Sequence, residues 1–268
     1  MLVHGPRSSG VLCPIFALPQ GEGIGDLGPT AFRFIDRLHE AGFRTWALLP
    51  YSPIDHPYCP YSSISSFGIE PLFISLELLV KADLLTFNQD HIHNGETVVY
   101  DEVVAFKKPL LTEAASGFLA QANHPWRHDY QQFITRHSWV EDLALFVTLK
   151  NHFNGLPFWE WPQPYRDRTP ETLQQFELQH QAAIAQQKVL QYFAHRQWRD
   201  VHRYAQSKGI ATFGDLPLYV AADSLDVWCH ANDFQLDANK RVIDVAGVPP
   251  DAFSDTGQKW GNPLYDWE

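Results

Sequence analysis

Three short apolar segments, Val11–Leu18, Thr45–Leu49 and Ile210–Pro217, each run straight into a loop crowded with polar and aromatic residues. Apolar runs of this length, bounded by turn residues and alternating with helical pattern, read as buried parallel strands. The first is followed by a helix expected over Pro29–Ala41, with Phe32, Ile35 and Leu38 on one face and Gly42 as its stop. The third is preceded by a long helix expected from Glu171 to Lys208, ending at Gly209. Strand, helix, strand with short connections is the signature of a parallel α/β unit.

The loops that follow the strands are ALPQGEGIGDLG, LPYSPIDHPYCPYSSISSF and GDLPLYVAADSLDVW. Chemistry-bearing residues at the C-terminal ends of successive parallel strands are what a (β/α)8 barrel displays, and a doubly wound sheet displays them less often around its whole rim. Residues 71–170 break the rhythm and read as a largely helical insertion, with one helix over Trp139–Phe153 and a loop FWEWPQPYRDR. The chain thus divides into 1–70, two strand–helix units; 71–170, the insertion; and 171–268, a third unit with further loops. A barrel takes about 250 residues and eight strands. Only three strands are legible here, so either the fold is of another kind or the barrel is incomplete.

Gly23-Ile24-Gly25-Asp26-Leu27-Gly28 spells the dinucleotide fingerprint G-x-G-x-x-G. In such a site the strand enters the glycines directly and the pyrophosphate sits on the helix N-terminus. Here Pro19 closes the apolar run early, and Pro29 starts the helix after the motif. Glu22 and Asp26 put carboxylates where the diphosphate would lie, with no Lys or Arg nearby in sequence to offset them. The stretch is therefore expected to be a glycine-rich strand-to-helix loop.

The formal net charge of -11, without a local Lys/Arg cluster, argues against nucleic acid as a partner. Cys13, Cys59 and Cys229 are widely spaced and form no C-x-x-C, so reduced thiols are expected. His91 and His93 lie close together but lack a third ligand at suitable spacing, which favours a solvated loop over a metal site. VLCPIFAL is short, carries Pro14 and runs at once into structured-looking sequence; it reads as a strand, not a secretion signal. No run reaches the length of a membrane span, and the expected location is the cytoplasm.

The last quarter carries the most specific pattern. GDLPLYVAADSLDVW (214–228) and GVPPDAFSDTGQKWGNPLYDW (247–267) closely resemble the amylomaltase family, the 4-alpha-glucanotransferases or disproportionating enzymes. The resemblance extends over the whole chain, through RSSGVLCPIFALPQGEGIGDLG, the segment GFRTWALLPYSPIDHPYCPYSSISSFGIEPLFISL, the ALFVTLK helix and the WEWP loop. It implies an α/β fold, the N-terminal portion of a (β/α)8 TIM-type barrel with a helical insertion, the barrel incomplete.

It also implies a ligand, maltooligosaccharides or other α-1,4-glucans, and no cofactor. A glucan offers apolar ring faces and a rim of hydroxyls, so its cleft combines aromatic platforms with amides and carboxylates. Phe253, Gln258, Trp260 and Asn262 supply both kinds in one segment, and Asp251 follows a stiff Pro-Pro bend. Tyr61 stands where the family's Ser-Pro-Tyr tyrosine contacts glucan. Asp215 is either a substrate-facing carboxylate or a hydrogen-bonder that fixes its loop, whereas Asp223, Ser224 and Asp226 read as structural, with Asp223 or Ser224 capping the turn into DVW.

Family chemistry is retaining glycosyl transfer, in which a carboxylate attacks the anomeric carbon, a Glu protonates the leaving sugar, and another sugar's hydroxyl captures the glycosyl-enzyme. By resemblance, the nucleophile lies in an Arg-x-Asp-His motif soon after WGNPLY, with the acid/base later still. No such motif occurs in residues 1–268, so no catalytic residue is assigned, and both groups are expected beyond Glu268. The chain alone is expected to be inactive and to need its missing C-terminal half, since an open barrel exposes apolar sheet. Three departures stand out: Cys59 in place of the usual serine, Ala47 in place of a Gln, and Gly68-Ile69-Glu70-Pro71 in place of Ala-Gly-Asn-Pro. The alternative reading is a non-catalytic glucan-binding or regulatory remnant.

Overall fold

The computed structural model describes residues 7–19, 22–54, 58–87 and 97–267; the His91–His93 pair lies outside them. In chain order the strands are β1 (Gly10–Leu12), β2 (Thr45–Ala47), β3 (Ala211–Phe213), β4 (Val245–Val248) and β5 (Gln258–Pro263). The helices are α1 (Pro29–Glu40), α2 (Leu76–Val80), α3 (Tyr100–Ala120), α4 (Arg127–Arg136), α5 (Trp139–His152), α6 (Gln163–Arg166), α7 (Pro170–Gln179), α8 (Gln181–Ser207) and α9 (Leu225–Cys229). They gather into two compact units. One comprises Met1–Tyr51, Ile69–Arg127 and Val189–Leu216; the other comprises Ser52–Gly68, His128–Lys188 and Pro217–Glu268.

The first unit holds a parallel sheet in the order β1-β2-β3, as the three apolar segments require. Each strand is only three residues long, shorter than expected. Pro14 has no N–H to give the ladder, and the chain turns at once into a 3-10 turn over Ile15–Ala17. Register places Val11, Trp46 and Thr212 on one face and Leu12, Ala47 and Phe213 on the other. The first face is packed: Trp46 is fully buried, meets Phe34 of α1 edge-on at 5.2 Å, and donates its indole N–H to the Cys13 carbonyl at 2.7 Å. The second face is open at both edges, with Leu12 63% and Phe213 67% exposed.

Helix α1 begins at Pro29 with Gly28 as N-cap and ends before Gly42, whose φ of +80° suits the stop. Ile35 and Leu38 are buried as expected. Phe32 is only half-buried, at 5.1 Å from the Tyr204 ring. The long helix expected over 171–208 is two helices, because His180 leaves helical geometry (φ -116°, ψ 21°) and its ring stacks on Phe176 at 4.0 Å. From α8, two buried amides clamp loop backbone. Gln191 exchanges two hydrogen bonds with Ile69 (2.9 and 3.0 Å), and Gln197 does the same with Ser75 (2.8 and 3.1 Å).

The glycine motif serves packing. A Cβ on Gly25 would stand 2.0 Å from the Ile15 carbonyl oxygen, and one on Gly28 would stand 2.3 Å from Ser75 Oγ. What the glycines wrap is a buried charge cluster. Glu22 accepts from Lys107 Nζ at 2.8 Å and from the Leu76 and Glu77 amides at 3.1 Å each. Both ionic side chains are inaccessible, at 3% and 0% exposed. The cation missing from the local sequence therefore arrives from α3, far along the chain, which corrects the expectation that these carboxylates are uncompensated. Asp26 accepts from the Gly28 amide at 2.8 Å. Burial pushes its carboxyl up to about 7, with Lys107 pulling against the rise and Glu22 adding to it.

An acid whose folded value lies above its ordinary 3.8 contributes stability that is present at low pH and lost as pH rises through about 7. Wild-type protein is therefore expected to lose urea resistance between pH 5 and 8. Asp26→Asn, the neutral isostere, should flatten that slope; an unchanged slope in the variant would count against a protonated Asp26. Lys107→Met, which strands Glu22 without its partner, should cost about 3–5 kcal/mol in the same denaturation experiment.

Candidate functional site

The second unit is organised around buried aromatic side chains. Phe146, Phe158, Trp161, Phe176 and Trp228 form its core with Leu143, Leu149 and Val227. Both tryptophans aim their N–H at carbonyls, Trp161 at Leu156 (2.9 Å) and Trp228 at Tyr165 (3.0 Å). The WEWP loop is thus anchored by packing. Its neighbour Asp223 holds the loop from below, accepting from Lys150 Nζ and from the Phe158 amide at 3.0 Å. Ser224 caps α9 by accepting from the Val227 amide at 3.3 Å, and Asp226 accepts from the Ser66 amide at 2.8 Å. These residues are structural, as their sequence context indicates.

After Pro217 the sequence reading sees only aromatic loops; the structure instead forms an antiparallel hairpin of β4 and β5. Its signal is diluted by glycines that the geometry demands. A Cβ on Gly247 would stand 2.2 Å from the Gln258 carbonyl oxygen, and Gly257 turns at φ +74°. Pairing runs Val248↔Gln258 and Gly247↔Lys259 but then Val245↔Pro263, so β5 carries two extra residues. Gly261, at φ +79°, absorbs that bulge, which re-aims the residues beyond it.

Gln258 and Trp260 project from the same face of β5, and the indole N–H meets Gln258 Oε1 at 3.1 Å. Trp260 is 48% exposed and approaches Tyr219 at 6.3 Å; Tyr219 stacks on Tyr265 (6.2 Å, 18°), and Tyr265 meets Trp267 at 5.2 Å. This is a ladder of four rings. Asn262, within the bulge, donates to the Val220 carbonyl at 2.7 Å, and Tyr265 Oη donates to the Leu218 carbonyl at 3.0 Å, so the 218–220 backbone is tied to the hairpin. Asp251 nucleates the β4–β5 connection: one carboxylate oxygen accepts from the Phe253 and Ser254 amides at 2.8 and 2.9 Å. Phe253, 92% exposed, stands beyond that turn.

The structure therefore joins Gln258 and Trp260 directly, with Asn262, Asp251 and Phe253 on the same hairpin. Tyr61 is on a separate loop, 45% exposed, held where the Leu225 amide bonds the Ile64 carbonyl at 2.8 Å. Asp215 belongs to the first unit, exposed two residues past β3. Sequence reasoning missed Tyr219, Tyr265 and Trp267. Their signal is the recurrence of aromatic residues in PLYVA and PLYDW, which only the hairpin brings into one row. Among the described residues, no group of three or more His, Cys, Asp or Glu is placed to hold a metal ion, and no helix is long and apolar enough to cross a membrane. Cys229 receives Arg168 Nη1 at 2.9 Å, and burial pushes its thiol up to about 12.

A family model described as 4-alpha-glucanotransferase matches residues 13–268. The chain belongs to the 4-alpha-glucanotransferase family. It is 38% identical to the 4-alpha-glucanotransferase of Synechocystis and 39% identical to that of Thermus thermophilus, each match covering 98% of this chain and 53% of the relative. The chloroplastic/amyloplastic 4-alpha-glucanotransferase of Solanum tuberosum is 37% identical, with 98% and 47% covered. Among solved structures, an amylomaltase from Streptococcus agalactiae in complex with acarbose superposes with a TM-score of 0.93 at 34% identity, over 98% of this chain and 54% of the other. The chain thus spans about half the length of these relatives.

Asp223→Ala should destabilise the second unit by about 3 kcal/mol, because it removes both the ion pair with the largely buried Lys150 and the acceptor for the Phe158 amide. Lys150→Met in the same background should recover much of that loss in urea denaturation. Additive effects of the two changes would show that the pair is not coupled.

Proposed function

We propose that this chain is the glucan-gripping part of a 4-alpha-glucanotransferase, an enzyme of (β/α)8 architecture that moves α-1,4-glucan segments between maltodextrins with retention. The observation that carries this reading is the Gln258–Trp260 pair beside a ring ladder whose end members, Trp260 and Trp267, are exposed. Ring faces there accept the apolar sides of glucose units, while amides meet their hydroxyls. Phe253, Asn262, Asp251 and Tyr61 are the further glucan contacts proposed in the second unit, and Asp215 is one proposed in the first. The nucleophilic carboxylate and the acid/base come from sequence following Glu268, and no described carboxylate takes those roles. The open sheet face at Leu12 and Phe213, with β1 and β3 as unpaired edges, fits strands contributed by that remaining half.

Two assays on the 268-residue chain test the reading. Calorimetric titration with maltoheptaose, and with acarbose, the ligand of the streptococcal relative, should register binding. Trp260→Ala should weaken it about two- to tenfold, from an aromatic contact worth roughly 0.5–1.5 kcal/mol. Maltotriose disproportionation by the chain alone should be absent. Robust transfer would overturn the placement of the catalytic groups, and absence of any saccharide binding would overturn the glucan reading itself.

A further inference from the structure

Tyr265 has partners toward the core of the second unit as well as along the ring row. Its ring meets the buried Phe234 at 5.1 Å (31°) in addition to Tyr219 at 6.2 Å (18°). Its backbone is pinned beside that phenylalanine: Phe234 and Tyr265 form an antiparallel bridge, the Gln235 amide bonds the Leu264 carbonyl at 2.9 Å, and the Asp266 amide bonds the Asp233 carbonyl at 2.8 Å. Tyr265 is thus a post fixed to packed structure. From that post the hydroxyl donates to the Leu218 carbonyl at 3.0 Å, while Asn262 holds the Val220 carbonyl at 2.7 Å. Residues 218 and 220 flank Tyr219, and 214–221 belong to no helix or strand, so the course of this stretch depends on such ties. Burial, followed by the Asp226 carboxylate and Tyr219, pushes the Tyr265 phenol above its ordinary 10, which keeps it an O–H donor.

The geometry points to Tyr265 as a positioning residue of the glucan site: through Leu218, its hydroxyl sets where the Tyr219 ring stands against Trp260, and it does so without touching sugar. The role rests on the hairpin being a glucan site, and it explains how that site is held from behind. Without the hydroxyl, the Val220 end of the stretch stays tied while the Leu218 end is released. Tyr219 then gains freedom that a docking saccharide has to take away again. The fold itself loses little, because this hydrogen bond lies at the exposed surface, where water can replace the phenol on the Leu218 carbonyl.

Calorimetric titration of the 268-residue chain with maltoheptaose, paired with urea denaturation, tests the role. Tyr265→Phe keeps the ring and removes only the hydroxyl. It should weaken binding about two- to tenfold, the range that one hydrogen bond gives, with the urea midpoint unchanged. In a Tyr219→Leu background the same change should have no further effect, because no ring remains to be placed. Equal weakening in both backgrounds would mean that the hydroxyl meets sugar itself, and would overturn the positioning role. A Tyr265→Phe variant that binds as the wild type does, or whose midpoint falls along with its affinity, would overturn it too. In each of these cases weakened binding by Trp260→Ala leaves the hairpin reading standing. Wild-type protein that binds no saccharide sinks that reading and this role together.

Discussion

The Glu22–Lys107 ion pair is the constraint on which the first unit is built. Each partner is more than nine-tenths buried, so neither charge has water to fall back on, and each must find the other wherever the chain puts it. Glu22 also receives the first amides of α2, so a single carboxylate fixes the strand-to-helix loop, a short helix and a residue of α3 at one point. Gly25 and Gly28 sit in the same loop where a Cβ would strike the Ile15 carbonyl oxygen and Ser75 Oγ. The nucleotide-like spelling is thus a by-product of close packing around a charge, with the glycines drawn in toward protein instead of phosphate.

The fold is legible where local rules suffice. Pro29 and Gly42 bracket α1, three apolar runs pair as parallel strands, and Trp139–His152 is helical because its pattern and its ends agree. Legibility fails where distant residues decide. Lys107 lies 85 positions from Glu22, and no window of sequence connects them. The hairpin escapes because close approach forces glycine into β4 and a bulge into β5, which erases the alternation a strand search needs. Strand lengths escape for the opposite reason: Val11–Leu18 is apolar throughout, but Pro14 ends the ladder whatever the hydropathy.

At the candidate site, spatial grouping was not readable in the sequence. The motif from Gly247 to Trp267 gives no hint that Tyr219, nearly 30 residues earlier, completes the ring ladder. Aromatic content divides sharply between two jobs. Trp161, Trp228 and Phe158 are sealed inside, each indole with a carbonyl partner, while Trp260, Phe253 and Trp267 face outward. Composition alone cannot separate these populations; burial does. Glu70 makes the same point about polar residues. It stands where the family resemblance leads one to expect asparagine, and here it caps a 3-10 turn through the Leu72 amide at 3.0 Å.

The Asp251 turn has a consequence for how saccharide could be held. Its carboxylate ties down two amides, and Ser254 Oγ donates to the Gly257 carbonyl at 2.7 Å, so the β4–β5 connection bearing Phe253 is already shaped in the free protein. A segment ordered in advance gives up little freedom when a sugar docks. The hairpin is therefore a rigid bench, its outline set before anything is laid on it.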